Sequence, residues 1–309
     1  MEYDNSNTFV LDQFKKIDNI DYLINNMKST SRAFLQIINS LYKGEPKLKD
    51  REVFIESLNM RILIAMNSII KLTEGIYLET NTQKSTIRII DFPSINILAR
   101  SIIESFLTLE YLFYNDLKED EKEFRFLVWR VSGYKSRQNF FQENDRKKIK
   151  KDIDKKLNSE LEEIEKLLLE IEKSPYYNKL NKQKLWKLDN YGIPRLNSWS
   201  TLLELSMLQT QMFQQSYKLY SNYAHSEFIS LIQINESDVY NVDSINNTLH
   251  LKNALRFVFS ISCVAVVQLK EKFNYTKNVY GELEAFQKNI IEFWNLFAIG
   301  KLDGFTMAN

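Results

Sequence analysis

The sequence predicts an all-α protein: a single large helical bundle with a protruding charged helical arm. Three observations support this. Glycine and proline are scarce, 7 and 4 in 309 residues, against an average usage of roughly 7% and 5%. Strand-rich folds need a turn every few residues and draw on both types to make them, so their scarcity favours long regular elements. The abundant Leu, Ile, Lys, Glu, Asn, Phe and Tyr suit helices packed on an aromatic-rich core, and apolar residues recur at helical spacing along the chain.

Residues 8–43 read as one or two helices, with a break near Ser29-Thr30-Ser31 and an end at Gly44-Glu45-Pro46. Asp50 caps a helix over 51–79 whose core is Met60, Ile62, Leu63, Ile64, Met66, Ile69 and Ile70, and Thr80 to Ser85 form a polar loop. Asp91-Phe92-Pro93 is a start signal, because Asp accepts from free backbone amides and Pro is harmless in a first turn. The helix that follows, about 92–115, is apolar on nearly every side and therefore central. Asp120 with Glu123 forms a capping box for a helix near 121–143.

The charge run at 144–158 and a second capping box, Ser159 with Glu162, lead into Leu161, Ile164, Leu167, Leu168 and Ile171 at helical spacing. The stretch 144–173 thus reads as an amphipathic arm, with a basic nucleic-acid grip from Arg146 to Lys151 as the sharper reading of a solvated face. Pro175, Gly192 and Pro194 bracket an irregular segment, and Trp199 opens a helix reaching about Ser221. Residues 233–247 form a polar loop, and two last helices cover about 247–273 and 277–299. One helical domain over 1–309 is expected, its core at 50–143 and 197–299 and its inserted charged arm at about 144–195.

Lys plus Arg is 41 and Asp plus Glu is 40, a net charge of +1 that exerts no global pull on nucleic acid or an anionic membrane. The single cysteine, Cys263, leaves no partner for an intramolecular disulfide or a cysteine-rich zinc site, and the two histidines, His225 and His250, leave little for a transition metal. No cofactor and no metal are expected. The N-terminal MEYDNSNTFV is polar and acidic, unlike a secretory signal. The longest apolar run, Ala254 to Leu269, contains Arg256 and falls short of the ~20 residues of a bilayer span. A cytoplasmic location without membrane partner follows as the expectation. No GxGxxG, GxxxxGK[ST], GxSxG or HExxH string occurs, so Rossmann, P-loop, serine-hydrolase and zincin chemistry are not indicated.

Three segments carry candidate chemistry. Within Phe92–Tyr114 the only charges are Arg100, Glu104 and Glu110, and the first two share a face four residues apart. A charge pair inside an apolar helix either locks a register or serves a site, because burying charges is expensive unless they are paired. The segment from Tyr217 to Glu227 sets His225 among Tyr217, Tyr220, Tyr223, Ser221 and Ser226. Tyr and His have apolar bodies and polar tips suited to a half-buried pocket. The third, Phe124 to Lys135, is basic and aromatic and offers Arg130 and Tyr134.

The run Pro93 to Glu104, the following basic helix and the later Tyr220-Ser221-Asn222-Tyr223-Ala224-His225 resemble an uncharacterised bacterial helical family that pairs an L-x-R-S-x-x-E helix with a later Y-S-x-x-x-H element. Such proteins are similar to the wider HEPN (higher eukaryote and prokaryote nucleotide-binding) helical families, frequent in toxin–antitoxin and anti-phage systems, many of which cut RNA without metal. The resemblance covers roughly residues 55–270. The Arg-x4–6-His of HEPN ribonucleases does not map here: the nearest arginine before His225 is Arg195.

Two functions follow as expectations. The first is a non-catalytic binding or regulatory component of a defence- or toxin-related assembly, with an RNA or protein partner and a homodimer as candidate assemblies. The second is a metal-independent endoribonuclease using Arg100, Glu104, Tyr220 and His225, with Arg130, Tyr134, Ser221 and Tyr223 as candidate ligand contacts. In that reading His225 moves a proton, Arg100 stabilises phosphorane charge and Glu104 orients one of them. A carboxylate-bridged metal enzyme is the third reading, and no pattern among the 40 acids supports it.

Overall fold

The computed structural model describes residues 5–44, 47–79, 86–140, 151–237 and 244–307. Among them it contains thirteen α-helices and one two-stranded sheet, an all-α fold. The chain divides into two compact units, one of Met1–Leu109 with Leu203–Asn309 and one of Glu110–Leu202.

The first unit opens with α1 (Asn5–Lys16) and α2 (Ile20–Ser40). The break lies at 17–19, where the Asn19 side chain accepts from the Tyr22 amide at 2.9 Å and caps α2. No break occurs at 29–31, because Ser31 bonds to Asn67 instead of turning the chain. Next comes α3 (Val53–Leu72), which is shorter than the sequence predicts. It gives way to an antiparallel hairpin of β1 (Ile76–Glu79) and β2 (Thr86–Ile89), in which Ile76 pairs with Ile89 and Glu79 with Thr86. Gly75, at φ 85°, makes the turn between helix and strand. A Cβ there would be strained at this φ and would lie 2.8 Å from Arg88 Nε, so the position favours glycine.

Asp91 starts α4 (Phe92–Leu109) as predicted, its Oδ1 accepting from the Ser94 amide at 3.0 Å. The chain leaves the second unit within α8 (Trp199–Glu204) and continues through α9 (Thr210–Ala224) and α10 (Phe228–Glu236). The predicted single helix from Trp199 is thus interrupted, and the Gln209 amide bonds to the Ala298 carbonyl at 2.9 Å across the gap. The last part is α11 (Ile245–Lys272), α12 (Asn274–Gly281) and α13 (Ala285–Ile299), three helices where two are predicted.

The core of this unit is α11, packed on α2, α4 and α13, with Phe259, Ile261, Cys263, Val264 and Val266 fully buried. Both α3 and α11 are long and apolar enough to cross a membrane by length and composition, and most of the apolar stretch of α11 is buried inside this unit.

The second unit starts with a π-helical turn, Glu110–Tyr114, and then α5 (Glu119–Phe140), α6 (Lys151–Lys173) and α7 (Lys182–Asn190). Phe124, Leu127, Val128 and Val131 of α5 meet Leu167 and Ile171 of α6 and Leu188 of α7 in its core. Helix α6 runs unbroken through Ser159 and Glu162, so these residues form no cap. The Thr80–Ser85 loop, most of the Gly44-Glu45-Pro46 stop and the basic run from Arg146 up to the start of α6 lie outside the described residues.

Candidate functional site

Helix α4 is buried along Phe92, Ile95, Ala99, Ile102, Ile103 and Phe106, against α3, α9 and α11. Its remaining stripe carries Ile97, Arg100, Ser101 and Glu104 toward solvent. Arg100 Nε donates to Glu104 Oε1 at 2.9 Å, and the two side chains keep 17% and 26% of their exposure. Their partners come from α9. Tyr217 donates its hydroxyl to the same Glu104 oxygen at 3.1 Å, and its ring lies 5.8 Å from the Arg100 guanidinium carbon. Burial, followed by the neighbouring Glu104 carboxylate, raises the Tyr217 pKa, so the phenol stays protonated and remains a donor.

His225 completes the group. Arg100 Nη1 lies 3.0 Å from its Nε2, across 125 residues of sequence. A guanidinium can only donate, so Nε2 accepts and the ring proton sits on Nδ1. The imidazole is exposed to solvent.

The end of α9 aims this ring. His225 is the C-cap, its amide bonded to the Ser221 carbonyl at 3.2 Å. Ser226 follows at φ 52°, and the Glu227 amide returns to the Asn222 carbonyl at 2.9 Å. This is a Schellman closure with serine at the left-handed position where glycine is usual. Holding a side-chain-bearing residue there costs roughly 1–2 kcal/mol, and the turn leaves His225 at the lip of the helix facing α4.

Beside Arg100, α3 and α4 form an open groove of about 610 Å³, lined by Met60, Arg61, Ile64, Leu98 and Ser101 among others. Arg61 Nη2 donates to the Ser101 hydroxyl at 3.2 Å. A second guanidinium therefore lies on the flank of the helix that carries the first.

The structure brings together Arg100, Glu104 and His225. Tyr220 stands apart from them: it is 2% exposed, packs edge-on against Phe257, and burial drives its pKa far up. Tyr223 is likewise turned inward, edge-on to Phe92, with its hydroxyl donating to Gln233 at 2.8 Å and its pKa pushed up to about 12 by burial. Ser221 spends its hydroxyl on the Tyr217 carbonyl at 2.8 Å. Arg130 and Tyr134 belong to the second unit, where Arg130 pairs with Glu163 at 2.9 Å.

The residue that sequence reasoning passed over is Tyr217, and a signal for it existed. Phe213, Tyr220 and Tyr223 follow one helical stripe, the buried one, whereas Tyr217, Ser221 and His225 recur every four residues on another. Among the described residues no three His, Cys, Asp or Glu side chains are placed to share a metal ion. What the group offers is a guanidinium, a protonated phenol and an imidazole around one solvent-facing point, the inventory for holding an anion and moving a proton beside it.

A family model described as a family of unknown function (DUF5677) matches residues 57–241, more than half of the chain, and the chain belongs to that family. The matched span contains Arg61, Arg100, Glu104, Tyr217 and His225. No curated protein and no solved structure matches the chain.

Proposed function

We propose that this family member is a metal-independent endoribonuclease whose site is Arg100, Glu104, Tyr217 and His225. The observation that carries the reading is the 3.0 Å approach of Arg100 Nη1 to His225 Nε2, two residues drawn from distant parts of the chain to one solvent-facing point. The pairing of arginine and histidine that HEPN ribonucleases hold within one helix is supplied here by two helices. The similarity read in the sequence to toxin and anti-phage proteins agrees with this, and an RNA target sets the activity in the cytoplasm.

Each group has a role fixed by its chemistry. Arg100 leaves His225 Nε2 for two phosphate oxygens when substrate enters, since a bidentate charge-assisted contact is stronger than one to a neutral ring. His225 Nε2, vacated, takes the proton of the 2′-hydroxyl. The O2′–P bond forms, the P–O5′ bond breaks, and O5′ takes a proton from solvent. The products are a 2′,3′-cyclic phosphate and a 5′-hydroxyl. Tyr217 turns its one hydroxyl proton from Glu104 to the charge that grows on phosphate, and Glu104 holds the guanidinium plane through Nε.

The test is cleavage of total RNA with chelator present. His225→Ala is expected to lower the rate at least ~100-fold with melting unchanged. Equal cutting by both forms, or cutting that chelator stops, rejects the proposal.

One observation favours the second reading, a non-catalytic binding or regulatory component of a defence assembly. Glu104 already satisfies both Arg100 and Tyr217, which is how a structural network looks. Under it the cluster binds a phosphate-bearing ligand without turnover, and wild type and His225→Ala both leave RNA intact.

A further inference from the structure

The second unit carries a surface that the cleavage site does not use. Helix α7 presents Trp186, 55% exposed, and the chain just beyond it presents Tyr191, 59% exposed. The two rings meet edge-on with centroids 5.4 Å apart. Of the four tryptophans, Trp294 is buried and Trp129 and Trp199 are half-buried, so Trp186 is the exposed one. Lys182 lies one turn before Trp186 on the same face and Lys187 next to it, both exposed. Neither lysine is ion-paired among the described residues.

The one carboxylate of α7, Asp189, is also exposed, and its charge acts on Lys135 and Tyr177 of the same unit. The exposed residues of this segment are two lysines, one aspartate, Gln183, Asn190 and two aromatic rings, which leaves the cations in excess.

This face is held rigidly from behind. Lys135 Nζ donates to the carbonyls of Leu188, at 2.8 Å, and Asp189, and so caps the end of α7. Gly192, at φ 78°, bonds its amide to the Lys187 carbonyl at 2.8 Å. A Cβ on it would lie 2.5 Å from Ser132 Cα, so the backbone after Tyr191 is pressed onto α5. An exposed aromatic pair on a clamped helix end resembles a platform more than a stray surface tryptophan.

We propose that this face of α7 binds single-stranded nucleic acid, with a base stacked on Trp186, Tyr191 as the second ring, and Lys182 and Lys187 on the flanking phosphates. Stacking rings between cations are the elements that hold single strands without sequence preference, because every base has a π-face and every linkage a charge. The unpaired lysines favour a polyanion over an apolar protein partner. The proposal stands whether or not RNA is cut at Arg100 and His225.

The test uses the full chain and a short fluorescent single-stranded oligodeoxynucleotide, which cannot undergo cleavage through a 2′-hydroxyl. Fluorescence anisotropy and tryptophan quenching are followed at low salt. Wild type is expected to bind and quench, and Trp186→Ala to lose the quenching and roughly five- to a hundred-fold in affinity. Lys182→Gln with Lys187→Gln is expected to lower the salt slope of binding by about 1.4. Circular dichroism checks that each variant is folded. No binding by wild type, or equal binding by Trp186→Ala, overturns the proposal, and the second result leaves the aromatic pair as a protein-docking face.

Discussion

Two arginine–glutamate pairs, each four residues apart on a helix, have opposite characters. In the second unit Glu121 precedes Arg125, the favoured order for a helix. Arg125 Nη2 donates to Glu121 at 2.7 Å, Nη1 to the Tyr111 carbonyl at 3.3 Å, and its guanidinium lies 4.5 Å from the Tyr111 ring. In the first unit Arg100 precedes Glu104, the weaker order, and Nη1 faces an exposed imidazole. Burial alone does not separate the pairs, since the arginine side chains are 10% and 17% exposed. The remaining nitrogens do. Nη1 of Arg125 meets a backbone carbonyl, while Nη1 of Arg100 meets an exposed imidazole that an anion can displace.

Four substitutions break or sharpen this contrast. The largest effect is expected from Arg100→Ala, which should lower RNA cleavage by about 100- to 1,000-fold while costing only about 1–2 kcal/mol of stability, because Glu104 keeps the Tyr217 hydroxyl as a donor. A drop of several degrees in Tm with cleavage intact would instead make Arg100 a second Arg125. The next is Arg125→Ala, which strands Glu121 and leaves the Tyr111 carbonyl without its donor. It should cost about 2–3 kcal/mol, below the full figure for a buried pair because Glu121 is a quarter exposed, read as a fall of several degrees in Tm. Cleavage per folded molecule should hold.

Tyr217→Phe removes one neutral donor from the site and one hydrogen bond from Glu104. About a ten-fold loss of rate and about 1 kcal/mol of stability are expected, and an unchanged rate would remove Tyr217 from the chemistry. The smallest effect is expected from Ser226→Gly. It relieves a left-handed serine but loosens the unfolded chain, for a net gain of up to about 1 kcal/mol. A measured loss of stability would mean that the serine is not strained there.

The fold class and the start of α4 were legible in the sequence because they rest on composition and on a cap, both local signals. The hairpin was not. Ile76, Tyr77 and Leu78 continue the apolar run of α3, and a helix drawn through them to residue 79 overlooks Gly75, the single residue that ends it. Ser29-Thr30-Ser31 suggested a break that burial and the bond from Ser31 to Asn67 override, whereas the true cap, Asn19, is an ordinary-looking residue in a polar stretch.

For the site, residue types and one helix face sufficed to select Arg100 and Glu104. His225 stood out by rarity and by its polar neighbours. Selecting Tyr220 over Tyr217 followed adjacency to the histidine, where the helical stripe from Phe213 gives the other answer. The meeting of Arg100 with His225 was beyond any local pattern, because it depends on how α9 packs on α4.

The boundaries of the second unit have a consequence for how such proteins can diverge. The chain leaves the first unit just after Arg100 and Glu104 and comes back before Tyr217 and His225, so all of Glu110–Leu202 is spliced between the two halves of the site. The sequence spacing of arginine and histidine is then set by a compact inserted unit and not by the contact between them. Proteins with longer, shorter or unrelated inserts could keep the same four side chains together, and a search keyed to a fixed interval would pass over every one of them.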